Sequence, residues 1–268
     1  MNGICVSIIS HRHGYDVVQL LDALASLDKP ELRRVILTLN LPENELAAKL
    51  RQRAWPFELE IVENAMPKGF GANHNQAFAL DARRGASEYF AVVNPDIRLR
   101  GNPFGALTRR LASGDARVGV SYPVQMAEDG RRQDHERLLP TPLRLARRYL
   151  PGAPRREVHT GDRPDWVNAA FLLLRREAYA SVGGFDEAYH MYCEDVDLCL
   201  RLQLAGWQLA RVDEAVVVHD AQRASRRHPQ HLGWHIRSLL RLWRSRAWRA
   251  WRAGLARDSV FVDSTDLR

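Results

Sequence analysis

In Tyr89-Phe90-Ala91-Val92-Val93-Asn94-Pro95-Asp96, a continuous apolar run ends abruptly in a turn carrying two oxygen-bearing side chains. A short apolar run bounded by turn signals reads as a strand buried on both faces. Asn-Pro and Pro-Asp favour a turn. The same two side chains, two residues apart, also suit a hard divalent cation, which takes oxygen ligands and shares them with phosphates.

The pattern on either side repeats this theme. Residues 4–10 (Ile-Cys-Val-Ser-Ile-Ile-Ser) form another apolar, β-branched run. Val17, Leu20, Leu21 and Leu24 recur at helical spacing within 17–27. Strands are predicted at 34–39, 57–63 and 118–123, and helices at 45–54, 72–84 and 103–113. Alternation of strand and helix argues an α/β fold with a mainly parallel central sheet flanked by helices. Residues 127–159 break the rhythm. They are rich in Arg and Pro, allow one short helix over 141–150, and read as a mobile insertion. Regularity returns with a strand over 166–174, a helix over 176–182, a helix over 194–204 closed by Gly206, and a strand over 207–218 running into His219.

The chain has 268 residues, 46% hydrophobic and 26% charged, an ordinary globular composition. No apolar run approaches the ~20 residues that span a bilayer. The N-terminus lacks a basic flank and a small-residue cleavage site and reads as a first strand, not a signal peptide. Three Cys at spacings that match no zinc pattern point to a reducing compartment. The net charge of +7 is unevenly placed: residues 221–257 hold ten Arg and no acid, so the remainder is net negative. Four of the seven Trp, Trp234, Trp243, Trp248 and Trp251, lie in the same segment. A basic amphipathic helix with interfacial Trp suits an anionic membrane surface. Its apolar stripe is expected to be Ile236, Leu239, Leu240, Trp243, Ala247, Trp251 and Leu255. The alternative is a helix that packs its Trp on the core and solvates its Arg.

In open α/β sheets ligands bind beyond the carboxyl ends of the strands. Ser10-His11, Asn40, the loop from Lys68 to Asn75, and Asn94-Pro95-Asp96 all fall there. Glu194-Asp195-Val196-Asp197 opens a helix, where acids cap the N-terminus and complement its dipole. Crowded carboxylates also raise one another's pKa, which suits a general base. His219 at a strand end is either a metal ligand or a core histidine.

The ordered set resembles the inverting family 2 glycosyltransferases with the GT-A, Rossmann-like fold. Among them it is most similar to bacterial rhamnosyltransferases that build cell-surface polysaccharide such as O-antigen. Its most specific pieces are Gly69-Phe70-Gly71-Ala72-Asn73-His74-Asn75-Gln76-Ala77 and Gly183-Gly184-Phe185-Asp186 with the later Glu-Asp-x-Asp core. The resemblance implies a GT-A domain over 1–220. A nucleotide-sugar-binding half covers 1–125, the insertion 126–160, an acceptor and catalytic half 161–220, and a basic helix and tail 221–268. It implies that Asp195 is the general base, and that Asp96 and His219 hold Mg²⁺ or Mn²⁺ on the donor diphosphate. Asn94 stands where the family's first metal-motif Asp would be. Ser10, His11, Asn40, Lys68 and Asn75 would line the nucleotide-sugar pocket; Trp166, Asn168 and Glu194 would lie beside the sugar and acceptor. The implied donor is dTDP-rhamnose. The implied acceptor is a glycan or polyprenyl-diphosphate-linked sugar, met at the inner face of the cytoplasmic membrane. Two other readings compete: a nucleotide-binding regulatory module without turnover, and a nucleic-acid binder acting through the Arg-rich tail. The absence of a nucleic-acid-binding motif speaks against the second.

Overall fold

The computed structural model describes residues 3–28, 31–147, 164–219 and 229–254. Its centre is an eight-stranded sheet in the order β3 (Glu58–Glu63), β2 (Leu32–Leu39), β1 (Ile4–Ser10), β4 (Tyr89–Val93), β9 (Phe171–Arg175), β6 (Val118–Met126), β10 (Gln208–His219) and β5 (Ile97–Leu99). The run β3–β2–β1–β4 is parallel, and so is β6 with β10. Strand β9 enters between the two halves antiparallel to both neighbours, and β5 pairs antiparallel with the end of β10. The sheet is therefore mixed where the sequence suggested mainly parallel. An apolar run encodes burial but not direction.

Side chains alternate across each strand. Ile4, Val6 and Ile8 face one core, shared with α1 (Gly14–Ala25), α2 (Asn44–Arg51) and α4 (Pro103–Ala112). Cys5, Phe90 and Val92 face the other. That core is covered by α3 (Phe70–Arg83), α6 (Arg176–Ser181), α7 (Glu194–Leu204), α8 (Pro229–Arg244) and α9 (Arg246–Arg252). The single strand expected over 166–174 is two, β8 (Trp166–Val167) and β9, separated by Asn168-Ala169-Ala170. Strand β8 leaves the main sheet to pair with β7 (Glu136–Arg137).

The segment expected to be a mobile insertion is tied down as far as residue 147. Tyr122 donates to Glu136 Oε1 at 2.8 Å, and Trp243 Nε1 donates to the Pro140 carbonyl at 2.9 Å. Thr141 Oγ1 accepts from the Arg144 N–H, at the start of α5 (Pro142–Arg147). Residues 148–163 lie outside the described residues.

Glycine decides how closely α3 meets the 183–190 segment. A Cβ on Gly71 would stand 2.5 Å from Phe185 Cβ, and Gly184, at φ +70°, would drive one into Asn75 and Tyr179. Both motif glycines thus serve a close approach.

At the N-terminal ends of the strands lies a fully buried carboxylate, Asp81. It accepts from Arg34 at 2.5 Å, Arg176 at 2.7 Å, the Ser87 N–H at 2.8 Å and the Ser87 hydroxyl at 2.9 Å. Burial alone would raise its carboxyl. The Ser87 donors and the two guanidinium groups outweigh that and hold it below the ordinary range. Asp81→Asn is expected to cost about 3–5 kcal/mol, because buried Arg34 and half-buried Arg176 lose a fully buried carboxylate partner. Urea unfolding reads the loss. A depressed folded pKa stabilises above the unfolded value, so the gap between wild type and variant should close as pH falls below about 4.

Candidate active site

The carboxyl ends of the strands form one rim. At its β1 end, Ser10 is buried and donates to Glu43, which also accepts from the Arg12 N–H at 3.1 Å. Arg12 sits at φ +64°, a left-handed turn for a non-glycine residue. Glu43, which the sequence pattern did not single out, thereby shapes the turn after β1. His11 is exposed beside the Asn40 amide at 3.3 Å, its imidazole lowered by burial and by neighbouring His13 and Arg12.

Asn40 clamps a loop. Its Nδ2 donates to the Lys68 carbonyl at 3.0 Å, while its Oδ1 accepts from the Lys68 N–H at 2.8 Å and from Asn64 at 2.9 Å. Asn64 also donates to Asn73 at 2.7 Å. Lys68 itself is exposed and donates to Gln76. Asn75 departs from the expected nucleotide contact. Its Nδ2 donates to the Phe185 carbonyl and Glu187, and its Oδ1 accepts from the Tyr179 hydroxyl and the Phe185 N–H. With all four bonds made, Asn75 holds the Gly184-Phe185 turn and has nothing left to offer a ligand. His74 is likewise structural: buried against Ser7 at 2.8 Å, its imidazole is lowered to about 3 by desolvation and stays neutral.

The middle of the rim joins Asp96 and His219. Their meeting follows from register, since β10 ends with His219 paired to Ile97, one residue past Asp96. His219 Nε2 lies 3.5 Å from Asp96 Oδ2. Asp96 Oδ1 is buried with no hydrogen-bond partner. Burial pushes the Asp96 carboxyl up, but a protonated His219 imidazole, together with a backbone N–H and His13, holds it below the ordinary carboxylate range. Among the described residues no group of three or more His, Cys, Asp or Glu could hold a metal ion. The pair nonetheless fits a divalent cation of the Mg²⁺ or Mn²⁺ kind. Such ions keep several waters and take one or two protein ligands plus substrate phosphates, and an orphaned buried carboxylate oxygen is the donor they seek. Asn94 stands at the same turn, its N–H donating to the Ala170 carbonyl at 2.8 Å.

Asn168 Oδ1 accepts from Gln125 Nε2 at 2.7 Å. Trp166 departs from the role suggested for it. It is 8% exposed, its Nε1 donates to the Leu138 carbonyl, and Arg137 covers its ring at 5.2 Å. It packs the core and offers no open face to a sugar.

The acid motif opens α7 behind two consecutive left-handed residues, Tyr192 at φ +72° and Cys193 at φ +65°. Each costs on the order of 1–3 kcal/mol and persists only where neighbours enforce it. Helix α8 is that neighbour: Ser238 donates to the Met191 carbonyl at 2.9 Å, and Tyr192 shares a 2.8 Å hydrogen bond with His231. Glu194 is buried, with Oε2 unpartnered. Asp195 is half-buried and accepts from the Val196 N–H at 2.8 Å, with the Ala169 N–H and Arg137 nearby. Desolvation raises both carboxyls above the ordinary range, and the Asp195 charge raises Glu194 further. Asp197 turns away to pair with Arg201 at 2.6 Å.

The architecture matches solved structures of GT-A glycosyltransferases. No family model matches it. The rhamnosyltransferase WbbL of Escherichia coli K12 is 28% identical over 89% of this chain and 91% of its own length. The N-acetylglucosaminyl-diphospho-decaprenol L-rhamnosyltransferase of Mycobacterium tuberculosis is 34% identical over 63% of this chain and 59% of its own length. A mannosyltransferase of Pyrobaculum calidifontis, solved with GDP-Man and Mn²⁺, superposes with a TM-score of 0.61 at 16% identity, over 89% of this chain and 64% of that one. By these likenesses the chain is a glycosyl-transfer enzyme, similar in sequence to bacterial rhamnosyltransferases.

The raised acid pair has a consequence for stability. The folded protein holds a proton there that the unfolded chain gives up near pH 4, so wild-type stability falls as pH rises from about 4 through the raised values. Glu194→Gln removes the Glu194 share of that dependence and leaves that of Asp195. Its melting temperature should therefore exceed wild type by a margin that widens from pH ~4.5 to neutral, read by calorimetry.

Proposed function

We propose that the chain is an inverting rhamnosyltransferase. It moves rhamnose from a nucleoside diphosphate donor, dTDP-rhamnose first, to a hydroxyl of a lipid-linked glycan. The observation that carries this reading is Asp195. It is a single raised and reachable carboxylate beside Asn168–Ala170, on the rim that also holds Asp96 and His219. The rhamnosyl donor and polyprenyl-linked acceptor come from the two relatives, one of which is named for a decaprenol-linked substrate.

In this reading the acceptor oxygen attacks the anomeric carbon from the face opposite the diphosphate. Its proton passes to the Asp195 carboxylate, and the bond from the anomeric carbon to the diphosphate oxygen breaks with its electron pair on oxygen. One carboxylate suffices because no covalent intermediate forms, so the anomer inverts. Asp96 and His219 would hold Mg²⁺ or Mn²⁺, which when bound offsets the charge on the diphosphate. Asn94, Ser10 and His11 border the same rim, Lys68 brings a cation to it, and Asn168 and Glu194 flank the base.

Turnover, read as release of nucleoside diphosphate with acceptor present, should fall ~10²–10⁴-fold in Asp195→Asn while donor binding persists. Asp96→Ala and His219→Ala should instead weaken Mn²⁺-dependent donor binding. Wild-type turnover in Asp195→Asn, or donor affinity unchanged by chelator, would overturn the respective assignment. Retention of anomeric configuration, read by NMR of the product, would refute inversion.

The same reading sets the enzyme against an anionic membrane face. No helix among the described residues is long and apolar enough to cross a membrane. The apolar stripe expected on the C-terminal segment divides between two faces. Its Leu239 and Ala247 are buried in the core beside Leu242 and Trp248, with its Trp243 and Trp251 packed against that core, while Leu255 lies outside the described residues. Leu232, Ile236 and Leu240, four residues apart on α8, remain 56%, 51% and 41% exposed. They stand beside exposed Arg237, Arg244 and Arg246, and Ile236 and Leu240 share with those three and Trp234 a groove of about 1260 Å³. Apolar residues flanked by cations suit anionic headgroups, at about 1 kcal/mol per Arg near the surface. The variant Ile236→Asp/Leu240→Asp changes only exposed positions. It should lose sedimentation with anionic vesicles at low salt and keep the wild-type melting temperature; undiminished sedimentation would remove the membrane from this reading.

A further inference from the structure

We infer that Gln125 is a positioning residue that holds His219 in its Nδ1–H tautomer and Asn168 in one orientation, leaving the His219 Nε2 lone pair aimed beside Asp96. This builds on the reading of Asp96 and His219 as the metal pair, yet it concerns a hydrogen-bond order present in the metal-free protein.

Gln125 is fully buried on β6, opposite Val217 of β10. Its amide makes two side-chain contacts: 2.7 Å to Asn168 Oδ1 and 3.2 Å to His219 Nδ1. A carboxamide can be turned end for end, so its polarity must be set by a group that cannot. The Ala170 backbone N–H is such a group, directed at Asn168 Oδ1 at 3.4 Å. A backbone N–H only donates. The Asn168 atom facing it is therefore the carbonyl oxygen, and the Gln125 atom facing that oxygen is the NH₂. Gln125 Oε1 then faces His219 and can only accept, so Nδ1 carries the hydrogen.

The consequence falls at the far side of the ring. When the ring is doubly protonated its Nε2–H meets the Asp96 carboxylate; when it is neutral, with Nδ1 keeping the hydrogen, Nε2 is an acceptor standing 3.5 Å from the Asp96 Oδ2 acceptor. Two acceptors turned toward one point are reconciled by a cation. The opposite order would aim an Nε2–H at Asp96 and fill the place with a proton. It would also set the Asn168 NH₂ against the Ala170 N–H, donor to donor. A hydrogen bond to the remote ring nitrogen is the usual means of fixing which nitrogen ligates. Here the bond comes from a side chain that also orients Asn168, one residue from the Ala169 N–H that faces Asp195. The cation end and the base end of the rim thus share one hydrogen-bonded chain.

The test begins with metal-free, ¹⁵N-histidine-labelled protein at about pH 9, where an ordinary imidazole is neutral. Long-range ¹H–¹⁵N correlations should report His219 as the Nδ1–H tautomer. Gln125→Met removes both contacts; the tautomer should mix or reverse. Affinity for Mn²⁺ with saturating dTDP, read by electron paramagnetic resonance, should fall about 10–100-fold. Gln125→Glu still accepts from Nδ1–H and should restore the tautomer and Mn²⁺ affinity, while its donor KM should exceed wild type because Asn168 has lost its donor. An Nε2–H tautomer in the wild type overturns the inference, and the wild-type spectrum decides even if Gln125→Met fails to fold. An unchanged tautomer in folded Gln125→Met overturns it too. Wild-type Mn²⁺ affinity in His219→Ala, with the wild-type tautomer as stated, refutes the metal reading and leaves the hydrogen-bond order intact.

Discussion

The buried carboxylate of Asp81 ties together elements far apart in sequence: α3, which bears it, β2 through Arg34, the entry to β4 through Ser87, and α6 through Arg176. All of these lie at the N-terminal ends of the parallel strands. A carboxylate taken out of water must be repaid in full, and four donors with two positive charges do so. Glu58 neutralises Arg34 from the other side at 2.7 Å. The sheet is thus latched at one end, which leaves the other free to carry polar and strained groups.

Those groups sit at the carboxyl ends. The acid pair opening α7 is raised by burial, the residues before it are held in left-handed conformations, and Asp96 keeps an orphaned oxygen. Each feature opposes folding, and each is what a site for a charged ligand and a proton needs. Helix α8 connects the two demands. Its inner face braces the strained loop and fills the second core, while its outer face shows three apolar residues among arginines. A basic segment that looks separable along the sequence is built into the support of the acid motif.

The motif residues divide in the same way. In Gly69–Ala77 the glycines allow close approach, Asn73 and Asn75 spend their amides on neighbouring loops, and His74 is neutral in the core. They resemble ligand residues in sequence, but their hydrogen bonds go to the protein. Among the described residues, Asp96 and Glu194 keep an unpartnered oxygen, and Asp195, next to Glu194, is half-buried.

From the sequence alone came the strands at 4–10, 34–39, 57–63, 89–93 and 118–123, the helices between them, and the candidate rim. Hydrophobic periodicity and turn residues are local properties, legible in any window of a dozen residues. Strand direction is not local, so the antiparallel entry of β9 was hidden in an apolar run like any other. Strand β5 is three residues long with Arg98 at its centre, and only pairing with β10 makes it a strand. That pairing brings His219 to Asp96 across more than a hundred residues. Gln125 and Glu43 were invisible for the same reason, and so was the choice of which α8 residues face the core: a side chain's role depends on what stands opposite it, and long-range packing alone decides that.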